Sequence, residues 1–236
     1  MNPGQVGFYR TCYSAESLKQ LVSAIGQRTL PALDRLGLLD DLFALVQAGR
    51  SSTVEALCLL EAFAEEDQYV VWNRVCSALG KLSQLLSYTE HGDLLKAFGR
   101  RLLSGVTRSL GWESKPDEEH LTKLLRSLVL ARMTMLDDVE VIAEAERRFA
   151  LHVSGEQLIA ADFRSTVYKA VLRSGRRDMY DALLKIYREA TLHEEKDRIA
   201  SALGTIKNEE VLKDVSTSGG SRASQQFSCS YCRRSN

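Results

Sequence analysis

The stretch Asp34-Arg35-Leu36-Gly37-Leu38-Leu39-Asp40-Asp41-Leu42-Phe43-Ala44-Leu45, closing at Ala48-Gly49, decides the fold class. Its apolar residues Leu38, Leu42, Leu45 and Val46 fall three and four apart, the period of a helix with one buried face. Gly49 marks its stop. Upstream, Leu18, Leu21, Val22 and Ile25 keep the same period. Downstream, Ser52 and Glu55 form a capping box for the next helix, satisfying orphan N–H groups at about 1 kcal/mol each. Further helical stretches run roughly over 68–87, 93–110, 117–135, 137–152, 162–172, 178–190 and 193–203. Pro3, Pro31 and Pro116 fall at boundaries and interrupt none of them. About ten helices with short connectors pack as antiparallel neighbours. A succession of such pairs stacks into an α-α superhelix, HEAT-like in architecture although no strict repeat is detectable.

Both ends depart from this pattern. Val6 to Tyr13 is rich in aromatic and β-branched residues and reads as one short strand, without the sheet that would pair it. After Asp214 small polar residues replace the apolar period, and burial there cannot offset ordering entropy. The predicted organisation is a strand remnant at 1–13, a helical superhelix at 14–214 and a disordered tail at 215–236. Ile199, Leu203, Ile206, Val211 and Leu212 continue an apolar pattern up to that tail. An end of this kind is expected to need a cover, by self-association or by another chain.

Composition narrows the function classes. With 236 residues, 44% of them hydrophobic, the chain can bury one continuous core. Thirty-one Lys and Arg balance 31 Asp and Glu, and the signs are interleaved, so no basic footprint for nucleic acid stands out. No run reaches the ~18–20 apolar residues that span a bilayer, and no secretory leader is evident. A soluble, cytoplasmic chain is expected. Cys12, Cys58, Cys76, Cys229 and Cys232 are odd in number and scattered, which suits reduced thiols; Cys58 and Cys76 read as small core hydrophobes.

Chemistry-bearing motifs are few. His193-Glu194-Glu195-Lys196-Asp197 begins like a zinc helix but puts Asp197 where a second imidazole would stand, and His91, His120 and His152 lie on separate elements. It reads as a helix start with acids in its first turn. Cys229-Ser230-Tyr231-Cys232 is a lone C-x-x-C and supplies half a zinc site. Trp72 and Trp112 read as packing anchors. No catalytic, metal or cofactor residue is identified. The most specific constellation is D-R-x-x-L-x-x-D-x-x-x-L-x-x-x-G, carried by Asp34, Arg35, Leu38, Asp41, Leu45 and Gly49. Arg35 is expected to pair with acids a turn or more along its own helix, fixing how that helix meets the strand.

These residues resemble the zinc aminopeptidase (gluzincin) family, in its puromycin-sensitive branch, at the junction where the last sandwich strands give way to the C-terminal helical domain. Asn2-Pro3-Gly4-Gln5-Val6-Gly7-Phe8-Tyr9-Arg10, the signature just described, Tyr69-Val70-Val71-Trp72, Leu110-Gly111-Trp112, Arg147-Arg148-Phe149 and Ala161-Asp162-Phe163-Arg164-Ser165 carry the likeness, over residues 2 to about 207. The resemblance implies a domain that bounds a peptide chamber, in enzymes that remove N-terminal residues using zinc bound by an earlier domain. The family's H-E-x-x-H and G-x-M-E-N motifs do not occur in these 236 residues. The expectation is therefore a non-catalytic helical domain with no cofactor of its own, partnered by a complete aminopeptidase chain or by itself, with peptide as a further ligand. The different ending suggests a splice form, a truncated gene copy or a fragment. The alternative from another class is a stand-alone helical module that binds a partner protein.

Overall fold

The computed structural model describes residues 2–206, 208, 211 and 213. Among these, ten α-helices follow a 3₁₀ turn at Pro3–Gln5: α1 Ala15–Gly26, α2 Ala32–Gln47, α3 Thr53–Glu61, α4 Tyr69–Leu85, α5 Gly92–Leu110, α6 His120–Met135, α7 Val139–Ser154, α8 Ala161–Arg173, α9 Arg177–Glu189 and α10 His193–Leu203. The expected all-helical class is found, with boundaries within a few residues of the sequence reading. Among the described residues no helix is long and apolar enough to cross a membrane.

Local chemistry sets the ends. The Ser14 hydroxyl accepts from the Ser17 amide to open α1, Ser52 and Glu55 complete their capping box on α3, and the Asp138 carboxylate accepts from Val141 N–H to open α7. At the end of α2, Gly49 adopts a left-handed φ of 67°. Its N–H reaches the Val46 carbonyl while Arg50 N–H reaches Leu45, the paired bonds of a Schellman stop.

The chain divides into two compact units, one up to Arg132 and one from Met133. In the first, α2 packs on α3 and α4, and α4 on α5. Leu38, Leu39 and Leu42 of α2 share its core with Leu59 and Leu60 of α3 and Val71, Trp72 and Leu79 of α4. Trp72 is the expected anchor, with its indole N–H donated to the Glu66 carbonyl at 2.9 Å. In the second unit α8 is central, packed against α7, α9 and α10, and buried over six of its residues from Thr166 to Leu172. Phe149 of α7 meets Tyr168 of α8 edge to face at 6.2 Å.

Three expectations need correction. No strand forms at Val6 to Tyr13 among the described residues; Val6 and Phe8 are fully exposed and the segment is irregular. β-branched and aromatic side chains favour a strand only where neighbouring strands pair with it. Cys58 is exposed, because Ala56, Leu59 and Leu60 claim the buried face of α3. The apolar run at the end is covered, with Ile199, Leu203, Ile206 and Val211 all buried. Thr205 Oγ1 donates to Lys169 O, and Asn208 Nδ2 to Gly175 O, seating that segment on α8 and its following loop. Leu212 and the tail, with Cys229 and Cys232, lie outside the described residues.

We expect the amides of Phe8, Tyr9 and Arg10, which make no hydrogen bond among the described residues, to exchange with solvent unprotected, while those of Val75 to Leu79 in α4 exchange slowly. Hydrogen exchange at residue resolution checks this, and strong protection across Phe8 to Arg10 would contradict it.

Candidate functional site

Among the described residues three arginine–carboxylate clusters stand out in the interior, and the signature helix α2 carries the first. Asp34, Arg35 and Asp41 are all buried on it. Arg35 does not use the acids of its own helix. Asp40 and Asp41 lie five and six residues away, off its face, and Arg35 turns instead to Glu66 in the connection between α3 and α4. Nε and Nη2 donate to Oε2 and Oε1, each at 2.7 Å, and Nη1 donates to the Leu30 carbonyl. Glu66 also accepts the amides of Asp67 and Gln68 at 3.0 and 2.9 Å, just where α4 begins. Its hydrogen bonds to Arg35 hold the guanidinium proton more tightly than usual, outweighing the cost of burial.

The other acids of α2 face elsewhere. Asp34 accepts Gly4 N–H at 2.6 Å, and Asp41, two turns on, accepts Thr11 N–H at 3.1 Å and meets Arg10 at 3.4 Å. Between them Gly37 leaves room for the Gln5 side chain, whose Nε2 lies 1.7 Å from where a Cβ would stand. One face of α2 thus fastens the N-terminal segment, where a strand contact was expected. Asp40 pairs with Arg74 of α4, which also lies over the Phe43 ring at 5.9 Å. Gly49, the last signature residue, only ends the helix.

In the second cluster Arg126 of α6 is buried and grips Glu118 bidentately, donating also to Leu110 O and Ser114 Oγ at 3.1 Å. It ties down the loop carrying Gly111 and half-buried Trp112. These bonds hold the Glu118 carboxyl below its usual range.

The third cluster lies in the second unit. Glu195 of α10 is buried and accepts from Tyr168 Oη, from Arg164 Nη1 at 3.2 Å and from Arg198 Nη1 at 2.9 Å. Burial pushes its carboxyl up, but the three donors together hold it below the usual range. Tyr168 is pushed above its ordinary value by burial and by Glu195. His152 of α7 feels the charges of this cluster: burial and Arg164 lower its pKa against the pull of Glu195, and its Nδ1 is buried without a hydrogen-bond partner among the described residues.

His193 and Asp197 point outward from the same helix start, and Glu195 is committed to the cluster. Among the described residues no three His, Cys, Asp or Glu side chains converge to hold a metal ion. Sequence reasoning missed Glu66, Glu118, Tyr168 and Arg164 as partners, and read Glu195 only as an acid in the first turn of its helix, which it is. The signal available was an acid just before a helix start, at Glu66-Asp67-Gln68 and Glu118-Glu119-His120.

Buried ion pairs pin the helices within each unit, and comparison with known proteins gives the chain a family. The ERAP1-like C-terminal domain family matches residues 1–220, and the chain belongs to it. It is similar to Aminopeptidase M1-A of Oryza sativa subsp. japonica, 34% identical over 222 residues, covering 91% of this chain and 25% of that protein. Aminopeptidase M1 of Arabidopsis thaliana is 31% identical with the same coverage, and glutamyl aminopeptidase of Sus scrofa is 30% identical over 90% of the chain and 23% of that protein. The chain spans about a quarter of the length of these relatives.

Two outcomes follow from the clusters. Arg35→Met, which strands Glu66 in the core, should destabilise by about 3–5 kcal/mol, and Arg35→Met with Glu66→Leu should recover much of that loss. Urea denaturation of the single and double variants checks both. For His152 the folded pKa lies below the unfolded value near 6.5, so the unfolded chain takes up the proton first. Stability then falls as pH drops below ~6.5 and goes on falling until the folded pKa is passed. Wild type should lose more stability between pH 7.5 and 5.5 than His152→Gln, and equal losses would contradict this.

Proposed function

We propose that this chain acts as the C-terminal helical domain of a puromycin-sensitive-type zinc aminopeptidase, bounding a chamber that receives the body of a peptide while zinc chemistry takes place in a separate catalytic domain. The family match over residues 1–220 carries the reading. It is supported by an interior whose Arg35, Arg126 and Arg164 are committed to carboxylates and by the absence of H-E-x-x-H from the sequence. The partner is a complete aminopeptidase chain or a second copy, and the setting is the reducing cytosol, which suits the free thiols of Cys12, Cys58 and Cys76.

With aminoacyl fluorogenic substrates the purified chain should show no turnover, and metal analysis should find no stoichiometric zinc. Zinc-dependent cleavage abolished by His193→Ala would overturn the reading. Pull-down from a cell extract should recover aminopeptidase chains, and recovery of unrelated proteins alone would favour an interaction module.

A further inference from the structure

The half-buried Arg132, in the last turn of α6, is placed unlike the other interior arginines. Arg35, Arg126, Arg148, Arg164, Arg173 and Arg198 each hold a carboxylate oxygen. Arg132 pairs with none among the described residues, and its Nε is buried without a hydrogen-bond partner. Its guanidinium lies flat across Gly80 of α4: Nη1, Nη2 and Cζ come within 2.8, 3.0 and 3.2 Å of the point where a Cβ would stand. Any other residue at position 80 would have to push it away.

Cys76, Gly80 and Ser83 are spaced four and three apart on α4, so they form one stripe along its surface. Ser83 Oγ is a second buried polar atom without a partner. The Cys76 thiol beside Arg132 is pushed up to about 11 by burial, so it stays neutral and supplies no countercharge. A guanidinium held half out of water beside an unpartnered hydroxyl, with no anion of its own, is a recognition group awaiting one.

We propose that Arg132, held across Gly80, forms with Ser83 a binding site for a carboxylate. The paired Nη1 and Nη2 match two coplanar oxygens, and Ser83, three residues from Gly80 on the same stripe of α4, adds a hydroxyl donor. One positive charge against a neutral thiol favours a monoanion; a phosphate dianion would leave a surplus charge desolvated. The carboxylate comes either from a free organic acid or from a peptide, and the site does not depend on the aminopeptidase reading.

The test is a titration of the full chain at pH 7 and constant ionic strength, followed through the Arg132 Nε–H resonance in ¹⁵N-correlated spectra. Probes are sodium acetate, sodium phosphate, and one hexapeptide of neutral side chains with a free or an amidated C-terminus. Acetate should give a saturating shift and phosphate a weaker one. Peptide binding lost on amidation assigns a peptide source, and acetate binding without peptide binding assigns a free acid. Arg132→Lys, which keeps the charge and loses the fork, should weaken binding at least about tenfold. Gly80→Ala, which favours the helix, should do the same while the fold is kept, so a failure of the lysine variant to fold leaves the test intact. No saturating shift with acetate or peptide, or phosphate binding as tight as acetate, would overturn the proposal.

Discussion

A buried cation facing a buried anion is the constraint on which the first unit depends. Arg35 and Glu66 are both nearly inaccessible to water, so each would carry a large desolvation cost without the other. The pair does more than neutralise itself. Through Leu30 O it holds the connection into α2, and through the amides of Asp67 and Gln68 it sets where α4 begins. The Glu66 carbonyl then receives the Trp72 indole, so the charge pair and the largest core side chain fix each other's place. Such a pair adds little stability over a well-packed apolar substitute. Its contribution is geometric, since an alternative packing of α2 on α4 would leave a charge stranded.

The same solution recurs at Arg126 with Glu118 and at Glu195 with Arg164 and Arg198. In each case a carboxylate close to a helix start accepts from guanidinium groups, and at Arg35 and Arg126 the guanidinium also reaches loop carbonyls or hydroxyls. Short connectors expose backbone polar groups that the helices cannot satisfy, and a planar fork with five donors serves several at once. Helix junctions in an array without sheet are where such forks are needed most. This explains how a chain of balanced charge places so many of its arginines in the interior.

Helix count and helix ends were legible in the sequence because they rest on local rules. The spacing of Leu38, Leu42 and Leu45, the Ser52–Glu55 capping box and Gly49 each act within a few residues of one another. The ion-pair partners were not legible, because Arg35 and Glu66 are separated by 31 positions and only packing brings them together. Asp34 and Asp41 stood out, but nothing local says that an acid will accept from a backbone amide of Gly4 or Thr11 instead of from an arginine on its own helix. The burial of Glu195 went unforeseen for a related reason: an acid in a first turn satisfies the helix dipole wherever it points, so its burial leaves no local trace. Cys58 shows the converse, an apolar neighbourhood in sequence that lies on the outer face of the helix.

The two fastenings of the N-terminal segment differ in length between their sides. Asp34 and Asp41 are seven residues apart on α2, which at 1.5 Å per residue is about 10 Å. Gly4 and Thr11 are also seven residues apart, yet an extended chain of that length reaches about 23–25 Å. The segment is therefore slack by more than half its reach and has to bow outward, carrying Val6 and Phe8 into solvent. A taut strand could not be held at both points. By the same arithmetic three residues would bridge the gap, and the excess is shaped by Gln5 seated on Gly37 and by the Asn2 side chain bonded to both backbone groups of Gly7. Because Asp41 grips a backbone amide at position 11, the one chemical demand there is that the residue not be proline.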